Sequence, residues 1–321
     1  MRSRLLGKTG LWVSEIGFGT WGIGGNVDGA IAYGPTDDRE SKLALRRAFE
    51  LGVTFYDTAD FYGSGHSERL IGEALGDVRT KVVIASKVGL LDASGAQDFS
   101  VKHIRQSIEN SLRRLRTDCV DLYQLHNPSM EALDRDDRIL STMVSLQTEG
   151  KIRAFGISLR SPADGVKAIT EFGANSIQVN FSLADQRALE NGLLALCEER
   201  GVGVIVRTPL CFGFLTGQYS EMNGFDPYDH RQRWSSEQIK LWSKASRQFL
   251  SAVSNRATQS DAQMALRFCL SHAGVSTVIP GMLTREQVEE NVLASELGLL
   301  GDTDLLSITK IYQENIFFVG K

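Results

Sequence analysis

The chain has 321 residues, 42% of them hydrophobic and 23% charged, which is enough apolar material for a sizeable core. Its 35 lysines and arginines against 39 acids give a formal net charge of −4, leaving no basic footprint for nucleic acid and no polybasic patch for a membrane. No apolar run approaches the roughly 18–20 residues of a membrane span. The apolar stretch after Met1-Arg2-Ser3-Arg4 is too short for a signal peptide. Four cysteines (Cys119, Cys197, Cys211 and Cys269) lie far apart without a CxxC pair, so the expectation is a soluble cytoplasmic protein with free thiols.

Taken in order, the chain opens with short apolar runs around the turn Gly7-Lys8-Thr9-Gly10, which reads as a β-hairpin over residues 4–14. A strand-like run follows at 16–20, then a glycine-rich loop through Gly34-Pro35. A helix is expected from Thr36, with Asp37 as its cap and Glu40 as the capping-box partner, ending at Gly52. The rhythm then repeats. Strands at 53–58, 81–86, 120–125, 153–157, 176–180, 203–206 and 275–279 alternate with helices at 68–75, 101–115, 137–149, 163–172, 188–200, a group up to His272, and 285–296. A last amphipathic piece covers 304–312.

About eight strand-then-helix units without an obvious linker predict a (β/α)8 TIM barrel, one domain over residues 1–321, with the hairpin, a long seventh loop and a tail as additions. The rival is a doubly wound sheet, because Gly17-Phe18-Gly19-Thr20-Trp21-Gly22 matches GxGxxG after a strand. That motif must open a helix directly, whereas here a loop runs on to Pro35.

Chemistry in a barrel gathers at the C-terminal strand ends. Those ends carry Gly19-Thr20-Trp21 on the first strand, Asp57 on the second with Tyr62 in its loop, Lys87 on the third and His126 on the fourth. Each has a plain alternative: Lys87 as a solvated charge, His126 as a packed residue, Asp57 as a cap. Their coincidence at adjacent tips favours a joint role. A Lys87 ammonium near Tyr62 is expected to lower the phenol's pKa, with Asp57 holding Lys87 charged. His126 is then placed to hydrogen-bond a substrate carbonyl or assist proton transfer. The set holds an acid and a cradle for an alkoxide, but no metal cluster and no obvious nucleophile. A bound hydride carrier is the natural supply of electrons.

With these residues the chain resembles the aldo-keto reductases over nearly its whole length. The resemblance is carried by Gly17–Gly22, Phe55-Tyr56-Asp57-Thr58-Ala59 with Tyr62-Gly63, Ser86-Lys87, Asp121-Leu122-Tyr123-Gln124-Leu125-His126, the run from Gly150 to Ser158, and Ile279-Pro280-Gly281. It implies a barrel closed at its bottom by the hairpin, reversible NADPH-dependent reduction of a small-molecule carbonyl, and a tetrad of Asp57, Tyr62, Lys87 and His126 with Tyr62 as general acid. It also implies nucleotide contacts from Gly19, Thr20, Trp21, Asp57, Ser158 and Gln178, with Arg207 where many members stack an aromatic on the nicotinamide. The loop Thr208-Pro209-Leu210-Cys211-Phe212-Gly213-Phe214-Leu215-Thr216-Gly217 resembles the family's pyrophosphate cover. Gly281, Arg285, Gln287, Glu290 and Asn291 fall at the adenosine end. The basic residues that some branches carry at the positions of Gly281 and Gln287 are absent, so Arg285 and a helix N-terminus carry the expectation of NADPH ahead of NADH.

The substrate is expected to meet Trp21, Tyr62 and His126, with loops 26–34 and 212–234 shaping its pocket and Tyr33, Phe61, Tyr228 and Trp234 as further candidate walls. Two other readings stay open: a lyase that forms a Schiff base on Lys87, and a nucleotide-sensing regulatory subunit. The sequence sets neither the natural substrate nor the oligomeric state.

Overall fold

A computed structural model describes residues 1–27, 31–220, 224–254 and 258–320. The hairpin pairs β1 (Ser3–Leu5) antiparallel with β2 (Trp12–Ser14). Eight parallel strands follow: β3 (Phe18–Gly19), β4 (Phe55–Asp57), β5 (Val83–Val88), β6 (Val120–His126), β7 (Ile152–Ser158), β8 (Ser176–Asn180), β9 (Gly203–Arg207) and β10 (Val275–Val278). Each pairs with its neighbour in chain order. The sheet also closes on itself, because Gly17 N–H donates to Val278 O at 2.8 Å and Gly19 N–H to Pro280 O at 3.0 Å. This is the expected (β/α)8 barrel.

Two apolar layers follow from the strand alternation. Phe55, Val83, Ala85, Leu122, Ala154, Ile205 and Ile279 point inward, where Leu6, Leu11 and Val13 of the hairpin fill the bottom. The opposite strand faces pack against the helices. The turn of the hairpin touches the barrel so closely that a Cβ on Gly7, whose φ is +51°, would stand 2.1 Å from the backbone N of Gly203. Only glycine fits there.

The helices are α1 (Asp38–Glu50), α2 (His66–Leu75), α3 (Val101–Leu115), α4 (Met130–Arg135), α5 (Arg138–Thr148), α6 (Pro162–Thr170), α7 (Arg187–Glu190), α8 (Leu193–Arg200), α9 (Ser236–Leu250), α10 (Asp261–Leu270), α11 (Arg285–Leu297) and α12 (Asp302–Glu314). Helix α3 has the predicted bounds: Ser100 caps its start, and Ile104, Ile108, Leu112 and Leu115 bury one stripe.

Four expectations change. The short helix α4 was not foreseen. The single helix expected at 188–200 is two, separated at Gly192, whose φ is +74°. The first barrel strand is only two residues long, because the chain leaves the sheet at Thr20 to tie down β4: the Thr20 N–H and Oγ1–H both donate to Asp57 O. Asp37 does cap α1, but Glu40 accepts from Arg285 in place of closing a capping box. Among the described residues no helix is long and apolar enough to cross a membrane.

Candidate functional site

The parallel register decides which side chains meet. Asp57 is level with Ala85 across β4 and β5, so Lys87 rises two residues beyond it, level with Gln124 of β6. Lys87 is fully buried, and its Nζ donates to Asp57 Oδ1 at 2.5 Å, to Thr58 O at 2.8 Å and to the Tyr62 hydroxyl at 3.1 Å. An ammonium has three hydrogens, and all three are engaged. The phenolic oxygen of Tyr62 therefore accepts from Lys87 and keeps its own proton available. Asp57 is held from the other side by Gln178 Nε2 at 2.7 Å and Gln124 Nε2 at 3.2 Å, both donating to Oδ2. The His126 ring lies 5.9 Å from that of Tyr62, edge to face, and among the described residues its buried Nδ1 has no hydrogen-bond partner.

The electrostatics differ from expectation at Tyr62. Burial raises the phenol above its ordinary value of 10.0, and the Lys87 ammonium, the next strongest influence, offsets this without reversing it. The expected downward shift is thus corrected: a phenol walled off from water resists ionisation more than one nearby cation assists it. Burial opposes the charge on Lys87 too, but there Asp57 and Tyr62 prevail and the ammonium is favoured. His126 is pushed well below 6.5 by burial and then by Lys87 and Arg207, so its imidazole is neutral.

A cavity of about 470 Å3 opens over these strand ends. It runs from Gly19, Thr20, Trp21, Asp57, Tyr62 and His126 past Gln178, Arg207, Thr208, Pro209, Leu210 and Gly213 to Gly281, Gln287, Glu290 and Asn291. Most of the expected nucleotide positions therefore share one continuous slot. Seven of the named residues do not line it, among them the fully buried Phe214. Lys87 stands behind Tyr62. Ser158 stands behind Arg207, whose Nη1 donates to its Oγ at 3.1 Å. Leu215 is in the core, and Cys211 is a buried thiol pushed well up by burial, which removes any reading of it as reactive. Gly217 makes its close approach to a carboxylate of its own chain, since a Cβ there would stand 2.5 Å from Asp261 Oδ2. Arg285 is half-exposed on α11 and bound to Glu40 at 3.3 Å.

The cover of the slot is strained. Thr208, Cys211 and Phe212 have φ of +54°, +46° and +57°, values that side chains other than glycine rarely adopt. Beyond it the chain crosses the mouth and docks on the first loop, where His230 N–H donates to Ala32 O and Asn26 Nδ2 to Tyr228 O. The Arg231 guanidinium seals this junction: it pairs with Asp229 at 2.6 Å and lies 4.5 Å from the ring centres of Tyr219 and Phe225 and 4.9 Å from that of Tyr33. Of the proposed walls, Trp21, Tyr33 and Phe61 line the cavity. Trp234 packs on Phe212, His230 and Trp242, and Tyr228 is 69% exposed. Residues 28–30 and 221–223 of the two expected loops lie outside the described residues.

Sequence reasoning missed Asn127, Asn180 and Arg231. Asn127 follows His126 with φ of +55°, and both asparagines accept from Arg207. Isolated asparagines after strands are too common to signal this. Among the described residues no cluster of His, Cys, Asp or Glu is arranged to hold a metal.

The sequence model of the Aldo/keto reductase family matches residues 15–313. The chain belongs to that family. Curated relatives include L-galactose dehydrogenase of Arabidopsis thaliana, 32% identical over 95% of this chain and 92% of that protein, and the NADH-specific methylglyoxal reductase of Escherichia coli, 30% identical over 93% and 95%. Among solved structures, a glycerol dehydrogenase from Gluconobacter oxydans superposes with a TM-score of 0.80 at 27% identity, covering 99% of this chain and 97% of that one. This aldo-keto reductase is thus an oxidoreductase of the class that uses a nicotinamide cofactor.

The slot suits such a cofactor on its own terms. At one end it is lined by the neutral His126 imidazole and the protonated Tyr62 phenol, and at the other by an acid and an amide, Glu290 and Asn291.

Proposed function

We propose that this aldo-keto reductase interconverts a small hydroxylated alcohol and its carbonyl, using NADPH, with Tyr62 as the general acid, and that residues 1–321 work as one domain. The observation that carries the reading is the three-way grip of Lys87 on Asp57, Thr58 and Tyr62, in which the phenolic oxygen accepts and Tyr62, lining the cavity, keeps its own proton to donate.

A nicotinamide cofactor held along Gly19, Trp21, Gln178 and Arg207 would supply the hydride for the carbonyl carbon in the reductive direction. Tyr62 gives its proton to the carbonyl oxygen, so that C=O becomes CH–OH and one hydride of the cofactor is consumed. Lys87 stabilises the phenolate that remains, and Asp57, fixed by Gln124 and Gln178, keeps Lys87 charged and aimed. His126, being neutral, is suited to orient the carbonyl by hydrogen bonding without becoming the proton source. Trp21, Phe61 and Leu90 supply apolar walls that exclude water.

The substrate class rests on the relatives, whose names specify L-galactose, glycerol and methylglyoxal. All are small, oxygen-rich molecules.

NADPH needs a partner for its 2′-phosphate. Arg285 serves if it leaves Glu40, an exchange of a weak surface pair for a phosphate contact. NADH is the competing reading, favoured by the acids Glu286 and Glu290 on the same helix.

The test is nucleotide oxidation against a panel of small hydroxylated aldehydes and ketones. Tyr62→Phe should lose turnover about 10²–10⁴-fold while still binding nucleotide. An unaffected rate would remove Tyr62 from its role. The Schiff-base reading is weakened by Lys87 itself, because an ammonium with three acceptors has no lone pair to offer.

A further inference from the structure

Arg207 ends β9 and lines the cavity, mostly buried. Its guanidinium donates to four neutral oxygens: Asn180 Oδ1 at 2.7 Å, Asn127 Oδ1 at 2.9 Å, Ser158 Oγ at 3.1 Å and Leu159 O at 2.7 Å. None of these partners is charged, so Arg207 is not a salt-bridged strand end. Among the described residues no carboxylate comes within 4.0 Å of it.

The acids that act on it from further away are Asp57 and Asp185, and each already holds its own cation, Lys87 at 2.5 Å and Arg187 at 2.5 Å. Arg231, the other arginine of the cavity wall, is matched by Asp229. Tyr62 and His126 are neutral as described above. Glu290 carries the opposite charge, but at the α11 end of the slot. Among the described residues, the chemical end of the cavity is therefore left with one uncompensated positive charge, that of Arg207.

We propose that Arg207 makes the site discriminate between the redox states of its cofactor, holding the reduced nicotinamide more tightly than the oxidised one. This inference rests on the functional reading above, which brings the nicotinamide beside Tyr62 and hence into the same chamber as Arg207. The ring is neutral when reduced and a cation when oxidised, while the rest of the nucleotide is unchanged. A fixed positive charge in a water-poor chamber opposes the oxidised ring alone. At an effective dielectric constant near 20, a unit charge about 10 Å away alters the ratio of the two affinities by about tenfold.

Linkage fixes the consequence. If the reduced form is held more tightly, the bound equilibrium CH–OH + oxidised ring + phenolate ⇌ C=O + reduced ring + phenol moves toward the carbonyl. Hydride passes from carbon to the ring and the proton to Tyr62, so atoms and charge balance. Arg207 also helps the phenolate form, since its charge lowers the Tyr62 pKa alongside that of Lys87. This second effect stabilises the alcohol side of the equilibrium and offsets the first in part, so the binary nucleotide complexes, where Tyr62 keeps its proton, isolate the discrimination between the two ring states.

The experiment is to measure dissociation constants of NADH, NAD+, NADPH and NADP+ by calorimetry and nicotinamide fluorescence, for the wild type, Arg207→Gln and Arg207→Lys. The wild type should bind each reduced form about tenfold more tightly than its oxidised partner. Arg207→Gln should bring the two constants close together by tightening the oxidised form, and Arg207→Lys should keep the wild-type ratio even if both affinities fall. A wild-type ratio near one, or a Gln substitution that weakens both forms equally, would overturn the proposal and reduce Arg207 to a structural tie. If the wild type bound none of the four nucleotides, the functional reading itself would fall, and this inference with it.

Discussion

The two ends of the barrel treat buried charge differently. At the bottom, Glu15 is 2% exposed and saturated: Arg2 Nε and Ser295 Oγ donate to Oε2, each at 2.9 Å, and Arg4 Nε donates to Oε1 at 2.7 Å. Arg4 spends its remaining donors on the carbonyls of Val275 and Leu270. Among the described residues both carboxylate oxygens of Glu15 are taken. At the mouth, Lys87 and Asp57 are matched as tightly, yet among the described residues the Tyr62 hydroxyl has no acceptor for its proton and the Arg207 guanidinium has no carboxylate. The bottom uses charge to fasten the hairpin. The mouth keeps polar capacity unspent, which costs stability in the empty protein and becomes useful only when a ligand supplies the missing partners.

The sharpest way to break this contrast is Lys87→Met. Turnover should fall by about 10³-fold or more, and because Asp57 is left as a buried lone charge, unfolding should also become easier by about 3–5 kcal/mol. Steady-state rates and urea melts check the two parts. A stable variant that kept its rate would mean that the mouth is only another structural ion pair.

Glu15→Ala probes the opposite end. It should lower stability by about 1–3 kcal/mol, since Arg4 loses a partner while partly buried, yet leave the rate per folded molecule unchanged. A large loss of turnover with stability intact would show that the two ends are not separable.

A third test uses pH. Burial keeps Tyr62 protonated to higher pH than a free phenol, and His126, shifted well below 6.5, stays neutral throughout. Carbonyl reduction should therefore run level from about pH 6 to 9, whereas alcohol oxidation, which needs the phenolate, should climb over the same range. A break near 6.5 that vanished in His126→Gln would contradict the neutral imidazole.

The smallest effect belongs to the α11 end of the slot. Glu40→Gln should release Arg285 and tighten NADPH binding about two- to fivefold, with NADH unaffected. Equal changes for both would exclude Arg285 as the phosphate partner.

The barrel was legible in the sequence because strand and helix periods alternate cleanly: α3 and β8 have the foreseen bounds, and only local breaks such as Gly192 escaped. That Asp57, Tyr62, Lys87 and His126 meet at one mouth was legible for the same reason, since each sits at the end of a recognisable strand or in the loop after it. What could not be read was how competing fields sum. Lys87 near Tyr62 suggests a lowered phenol pKa, but the outcome depends on how much water the walls exclude. Arg207 likewise looks like any strand-end arginine until Asp57 and Asp185 are seen to be taken by other cations. Gly217 and Arg285 carried plausible phosphate roles by position, and only packing reveals Asp261 beside the one and Glu40 beside the other.

The central claim is direct hydride transfer over the Tyr62–Lys87 pair. It is tested most directly by a single turnover with nicotinamide nucleotide deuterated at the transferring carbon, in ordinary water, followed by mass spectrometry of the product alcohol and of the protein after borohydride treatment. The account predicts one deuterium on the new carbinol carbon, none lost to solvent, and no substrate fixed to Lys87. A product carrying only solvent hydrogen at that carbon, or substrate trapped on Lys87, would contradict it.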